Sequence, residues 1–357
     1  MTASDNSTNP TNSTYRMPAE WEPHASTWLA WPHRRSDWPG KFAPIPWVYA
    51  EIVRALTRHE HVNLLVRGPK MQARVERILT DCSVDLAQVS LWTLPTDRSW
   101  MRDSGAIMVV NDRGERIALD WHFNAWAKYP DWTHDDRIPG FMAAQLGLPW
   151  QQPRLRGWRV VLEGGSIDVN GAGLMLTTEE CLLSPIQERN PPLDRADYER
   201  VFAEYLGVKK VLWLGRGIAG DDTHGHVDDL ARFVGPRTVV TVLEINPDDE
   251  NYQPTQENRE RLLGMSNLEG NRLDVVTLPM PTPRVFDGMR LPASYANFYI
   301  ANGVVIVPTF NDPNDSIALG VLGDLFPDRE VVGIHCVDLV WGLGTLHCMT
   351  QQEPAGG

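Results

Sequence analysis

Cysteine is scarce in this chain and scattered. The four residues, Cys82, Cys181, Cys336 and Cys348, form no Cys-x-x-Cys pair. Neither a disulfide framework nor a structural zinc ribbon is therefore suggested, and a reducing cytoplasm fits best. Long apolar runs are absent as well, since none approaches the roughly 20 residues that span a bilayer. The amino terminus has no basic start followed by an apolar stretch, so neither a standard secretory signal nor a membrane anchor is expected. Basic runs with interleaved aromatics are also missing. With a net charge of -13 the chain would on average repel a phosphate backbone, and nucleic acid is not an expected partner.

What is abundant points elsewhere. The excess of 46 Asp and Glu over 33 Lys and Arg favours cationic ligands, although acidity serves solubility equally well. Fourteen tryptophans can wrap a cation with their ring faces, or simply pack as core and rim. The 357 residues, 42% of them hydrophobic, suffice for one large domain or two ordinary ones. Residues 1–15, rich in Ser, Thr and Asn, read as a disordered tail, and residues 16–357 as a single catalytic domain.

Along that domain, strand pairs joined by turn residues recur. They are 106–110 with 115–121, 160–169 with 174–178, 230–234 with 238–243, and 298–301 with 304–309. The Asn170-Gly171 dipeptide between the second pair favours a type I′ hairpin turn. The turns fall near positions 112, 171, 236 and 302, a recurrence of about 60 to 66 residues that argues for repeated units around an axis. Helices are predicted over 47–58, 69–80, 135–146, 193–206, 256–265 and 317–326. A strand at 27–31 and a last strand at 346–350 supply a fifth unit split between the two ends. The predicted class is α/β, a five-bladed pseudo-symmetric α/β propeller of strand-strand-helix-strand units.

Unusual polar residues stand ahead of each turn: Asp103, Glu163, His226 with Asp228, and Asn297. In a pseudo-symmetric ring equivalent positions point to the same place, so these groups would converge on the axis, where Cys348 from the last strand joins them. The plainer alternative is a similar strand entry reused in each repeat. Cys348 itself has two readings, a small apolar core residue or a nucleophile.

The densest ionisable cluster is Gly220-Asp221-Asp222-Thr223-His224-Gly225-His226-Val227-Asp228-Asp229. On an extended strand His224, His226 and Asp228 would face one side, and the pattern resembles the HxHxDH motif of binuclear metallo-hydrolases with Asp229 in place of the last histidine. A metal-dependent hydrolase using His224, His226, Asp228 and Asp229 is therefore one alternative, and a non-catalytic cation-binding protein another. Elsewhere, Glu163 precedes Gly164-Gly165, which allows close backbone approach or only a bend, and Arg102 beside Asp103 allows a plain surface pairing. One Cys, one His and several carboxylates with no Lys or Arg suit a guanidinium, whose five N–H donors two aspartates can grip while its carbon faces a thiolate. A neighbouring His can protonate the departing nitrogen and then activate water.

On these residues the chain resembles the agmatine deiminase family, within the guanidine-modifying superfamily related to bacterial peptidylarginine deiminases. The resemblance covers nearly the whole chain after the tail. It is carried by Met17 to His24, Trp100 to Gly105, Phe123 to Trp126, Leu162 to Asp168, Leu176 to Leu182, Asp221 to Asp228, Ala293 to Ile300 and His347 to Gln352. It implies a five-fold propeller with no metal or organic cofactor, acting on a small cationic guanidine and serving polyamine (putrescine) biosynthesis. It also implies that Cys348 is the nucleophile, His226 the general acid and base, and Glu163 its partner. Asp103 and Asp228 would clamp the guanidinium, Asp222 would help at the far end of agmatine, and Asn297 would shape the pocket. Two departures are visible. The run before the His-Cys pair reads Trp341-Gly342-Leu343-Gly344-Thr345-Leu346, and position 224 is His where plant-type members carry Asn or Asp. Both leave the exact guanidine open, whether agmatine, arginine, peptidyl arginine or an alkylguanidine; a homo-oligomer is also left open.

Overall fold

The computed structural model describes residues 14–356. Most of the expected tail lies outside the described residues; the chain is already engaged at Arg16, which exchanges 2.9 Å backbone hydrogen bonds with Val110.

Beside two small two-stranded ribbons, the strands form five sheets built to one plan. A short strand pairs antiparallel with a longer central one, and the central strand pairs parallel with a third. Thus Ile107–Val110 pairs with Arg116–Leu119 and then Trp150–Gln151, and Asp168–Val169 with Leu174–Thr178 and then Lys210–Leu214. Ala231–Phe233 pairs with Thr238–Leu243 and then Asp274–Pro279, and Tyr299–Ile300 with Val304–Thr309 and then Glu330–His335. A parallel neighbour needs a crossover, and a helix supplies each one: Ile138–Leu146, Arg195–Leu206, Tyr252–Gly264 and Asn314–Leu325. The remaining sheet joins both ends of the chain, because His24–Ala30 runs parallel to His61–Val66 and antiparallel to Gln351–Pro354. The fold is α/β, and the split unit expected from the sequence is present.

The helices lie close to their predicted spans, and local chemistry sets their ends. Asp194 accepts from the Asp197 N–H at 2.9 Å in a capping box, which starts that helix at Arg195 rather than 193. At the other end Gly147, at φ 62°, turns the chain out of Ile138–Leu146. Two strand expectations fail. The run expected as one strand over 160–169 is interrupted by a 3-10 turn at Gly164–Ser166. The loop after it is also longer than a two-residue turn, since Asn170 Oδ1 accepts from both Ala172 and Leu174 backbone N–H groups at 2.9 Å. Cys348, expected in a strand over 346–350, lies instead in a short helix, Leu346–Met349, and the last strand starts at Gln351.

That helix is one of a set. A short turn precedes the first strand of each sheet: Met101–Ser104, Gly164–Ser166, Val227–Asp229, the turn at 294–297, and Leu346–Met349. Their residues are buried, and they are tied to one another. The His347 N–H donates to Asn297 Oδ1 at 3.0 Å, Ser294 Oγ to the Asp229 carbonyl at 2.7 Å, and the Gly165 N–H to Asp103 Oδ1 at 3.1 Å. Among the described residues no helix is long and apolar enough to cross a membrane.

Candidate active site

The five turns bring together six residues that the sequence scatters over about two-thirds of its length. His226 is central. Its Nδ1 is 3.8 Å from Asp103 Oδ1 and 3.9 Å from Asp228 Oδ1, and its Nε2 is 3.7 Å from Glu163 Oε2. These are ion-pair separations, too long for hydrogen bonds. Both His226 ring nitrogens, Glu163 Oε2 and Asp228 Oδ1 consequently lack partners although fully buried. Buried polar atoms are almost always satisfied, and the two orphaned carboxylate oxygens, Glu163 Oε2 and Asp228 Oδ1, can accept from a ligand rich in N–H donors. Cys348 Sγ lies 3.8 Å from Asp228 Oδ2 and accepts from Asn297 Nδ2 at 3.1 Å. Asn297 also fixes the loop that carries the cysteine, because its Oδ1 accepts from Thr345 Oγ1 at 2.8 Å.

Glycine makes the room. A Cβ at Gly165 would stand 2.6 Å from His226 Nδ1 and 2.9 Å from Asp103 Oδ1, so any side chain there would fill the space between them. At Gly344 a Cβ would lie 2.7 Å from Trp100 and 3.2 Å from Cys348 Sγ. The cysteine opens onto a cavity of about 490 Å³, with Asp103, Trp100, Trp126 and Gly344 around its buried end. Trp126 Nε1 donates to Asp103 Oδ2 at 2.9 Å, which aims the other carboxylate oxygen at the site. Asp222, Tyr129, Arg34 and Asp131, all partly exposed, line the same cavity, together with the buried Arg98 and Asp37.

The electrostatics follow from burial. The Asp103 carboxyl is driven up to about 6 by desolvation, with Asp228 and Glu163 adding to the rise and His226 opposing it. Glu163 behaves oppositely: burial would raise it, but the Arg189 guanidinium, with Nε 3.1 Å from Oε1, and His226 hold it at about 2. Burial would also strip His226 of its proton, yet Asp103, Cys181 and Glu163 outweigh this and hold the imidazole well above the ordinary histidine value. Burial and then Asp228, Asp229 and Asp103 push the Cys348 thiol well above its usual range. The result is a protonated histidine and a neutral thiol among several buried carboxylates. An entering cation would relieve the carboxylates and favour the thiolate at once.

Residues 16–354 match the family described as Porphyromonas-type peptidyl-arginine deiminase. The chain belongs to that family. It is 36% identical to a putative agmatine deiminase of Latilactobacillus sakei over 98% of both proteins, and 36% identical to an agmatine deiminase of Pseudomonas aeruginosa over 96% of each. The solved structure of the Enterococcus faecalis agmatine deiminase superposes with a TM-score of 0.87 at 34% identity, covering 96% of both chains. A C. jejuni agmatine deiminase with substrate bound superposes with a TM-score of 0.85 at 29% identity, covering 98% of this chain and 99% of that one.

In this family member the Asp221 to Asp229 segment is a loop and a 3-10 turn, and the strand alternation expected for it fails. Asp221 Oδ2 accepts from the backbone N–H groups of Gly225 at 2.7 Å and His226 at 3.0 Å, and His224 adopts φ 65°. His224 Nε2 therefore meets Ser184 Oγ at 3.0 Å, away from His226, and belongs to no potential metal-binding group among the described residues. The four-residue metal cluster read from the sequence is not assembled. The two groupings that do form among the described residues, Glu163 with Cys181 and His226, and Asp228 with Asp229 and Cys348, both lie at the site already described.

A layer of buried cations behind the site had no counterpart in the sequence reading, which placed no Lys or Arg there. Arg102 makes no surface pair with Asp103. It is 2% exposed, and it donates from Nη2 to Glu20 at 3.0 Å and from Nη1 to Gln352 Oε1 at 2.6 Å. Arg232 donates from Nη2 to the same Glu20 at 2.8 Å and is paired with Asp168 through Nε. His347 bridges Glu20 and Asp228, its Nε2 2.8 Å from Glu20 Oε2 and its Nδ1 2.7 Å from Asp228 Oδ2. His347 thus meets a carboxylate at each ring nitrogen. In the sequence, Arg102 and His347 adjoin Asp103 and Cys348, and with Glu20 they lie in segments that carry the family resemblance, whereas Arg232 had no signal.

Proposed function

We propose that this chain hydrolyses agmatine to N-carbamoylputrescine and ammonia through a covalent thiouronium on Cys348. The observation that carries the reading is the set of unpartnered buried atoms of Glu163, His226 and Asp228 facing Cys348 and Asp103. Relatives named agmatine deiminase over nearly the whole chain support it. Asp103 and Asp228 accept the guanidinium N–H groups and hold its carbon toward Sγ. The guanidinium charge offsets the aspartates, and the thiol loses its proton to solvent. The thiolate then forms the C–S bond. His226, protonated at rest, donates to one nitrogen, which leaves as ammonia. The now neutral His226 takes a proton from water, the hydroxyl adds to the thiouronium carbon, and the C–S bond breaks as the hydroxyl proton passes to solvent, releasing the urea product and the thiolate. Glu163, kept anionic by Arg189, holds the imidazole in place through both steps.

The five sheets act in this reading as blades of a pseudo-symmetric propeller, forming one catalytic domain with the site on the axis. Asp222 takes the distal ammonium and Asn297 positions the cysteine loop. A cytoplasmic setting and a place in putrescine formation go with a small cationic substrate. A second reading, a deiminase of another guanidine such as a peptidyl arginine, draws on the description of the matched family. The deciding experiment is ammonia release across agmatine, arginine, a peptidyl arginine and methylated guanidines, with Cys348→Ser as control. The variant should fold and release no ammonia; near-normal turnover would sink the mechanism. Full activity in EDTA is expected, and loss of activity would return the metal-dependent alternative.

A further inference from the structure

We infer that Lys128 is a specificity-determining residue: in the free protein its ammonium occupies the seat that a substrate's distal ammonium must take, so that the ligand has to displace it. The inference rests on the reading of Asp222 as the distal subsite and extends it. Lys128 Nζ lies 2.5 Å from Asp222 Oδ1, while Tyr129 OH donates to Asp222 Oδ2 at 2.7 Å. The same Nζ is 5.7 Å from the Tyr129 ring centroid. A cation held by one carboxylate beside one phenol ring is what a bound alkylammonium would look like there. The other carboxylates of the outer cavity are already matched, since Asp37 and Asp131 each pair with both Arg34 and Arg98. Asp222 has Lys128 as its only charged partner among the described residues.

The backbone that presents Lys128 is held, whereas its half-exposed side chain is held, among the described residues, only by the pair with Asp222. Three consecutive residues without a glycine, Ala125, Trp126 and Ala127, sit at φ 50°, 59° and 52°. Such a run persists only where its surroundings fix it. Gln187 does so by donating from Nε2 to the Trp126 carbonyl at 3.2 Å and the Asp222 carbonyl at 3.1 Å. The loop and Asp222 therefore move as one piece, and the flexible stem of Lys128, 39% exposed, is the part free to leave. A guanidine with a cationic tail must break the Lys128 to Asp222 pair. One with a neutral tail binds with the pair intact.

The test compares KM for agmatine with KM for n-butylguanidine, which has no distal charge, in the full chain and its Lys128→Met, Lys128→Arg and Asp222→Asn variants. In Lys128→Met the agmatine-to-butylguanidine KM ratio should fall about two- to fivefold, the scale of an exposed pair, and the effect should shrink as salt is raised. Lys128→Arg should restore the parental ratio. An unchanged or higher ratio in Lys128→Met, or equal shifts for both substrates, overturns the inference while leaving the Asp222 reading in place if Asp222→Asn still raises the ratio. A ratio unmoved by Asp222→Asn removes that reading and the inference with it.

Discussion

Replacing Glu20 by glutamine tests whether the buried cation layer supports the site. Glu20 Oε1 accepts from Arg232 Nη2 at 2.8 Å and the Ile300 N–H at 2.9 Å, and Oε2 accepts from Arg102 Nη2 at 3.0 Å and His347 Nε2 at 2.8 Å. Glutamine keeps one acceptor oxygen and turns the other position into a donor, which would face two further donors. Two charge-assisted hydrogen bonds are lost, and buried charge is left unpaired at a residue only 7% exposed. Breaking a buried pair in this way costs about 3–5 kcal/mol. That is a large part of the roughly 5–15 kcal/mol that holds a domain together. At about 2 °C per kcal/mol for a large chain, the melting temperature should fall by about 6–10 °C, read by far-UV circular dichroism.

The effect should also depend on pH. Burial would raise the Glu20 carboxyl, but Arg232, His347 and Arg102 outweigh it and hold the group well below its ordinary value of 4.5. A depressed carboxylate contributes its stability above its unfolded value and loses it as pH falls through the folded one. The gap between parent and variant should thus be full at pH 7 and begin to close below about pH 4.5. Activity should fall about tenfold or more, because His347 loses the anchor that sets it against Asp228. A variant that melts within about 1 °C of the parent at pH 7 refutes the reasoning.

Three other outcomes are expected. In the proposed role of accepting a guanidinium N–H, Asp103 must be ionised, so kcat/KM should drop as pH falls through about 6; a profile flat down to pH 5 contradicts that role. Gly165→Ala places a Cβ 2.6 Å from His226 Nδ1, and should cost about 1–3 kcal/mol of stability in urea titration while removing most ammonia release. Ala127→Gly relieves a left-handed residue at φ 52° and should raise the urea midpoint by the equivalent of up to about 1 kcal/mol; a lower midpoint would show that the loop is unstrained.

The repeat and much of the site were legible in the sequence because both rest on local signals. Asn, Asp, Gly and Pro mark the turns, apolar runs mark the strands, and Asp103, Glu163, His226, Asp228, Asn297 and Cys348 stand at matching places near the strand entries. What could not be read depends on contacts between units. Glu20 is 327 positions from His347 and 212 from Arg232, so no spacing rule links them. The alternation of His224, His226 and Asp228 misled because a period-two pattern assumes extended backbone, whereas the Asp221 carboxylate captures two backbone N–H groups and coils the segment. Arg189, which sets the charge of Glu163, reaches it from a loop with no motif of its own.

The pairing of His24–Ala30 with Gln351–Pro354 also governs how the protein is made. Ser26 hydrogen-bonds Glu353, 327 positions later, so during synthesis the His24–Ala30 strand has one edge uncovered until that segment has emerged. An uncovered edge recruits other strands, which makes the nascent chain the aggregation-prone stage of this protein's life. Cys348, the proposed nucleophile, arrives with the same segment. A product cut short before residue 348 therefore carries the open edge and lacks Cys348, and the proposed deiminase activity would count only chains that extend past that residue.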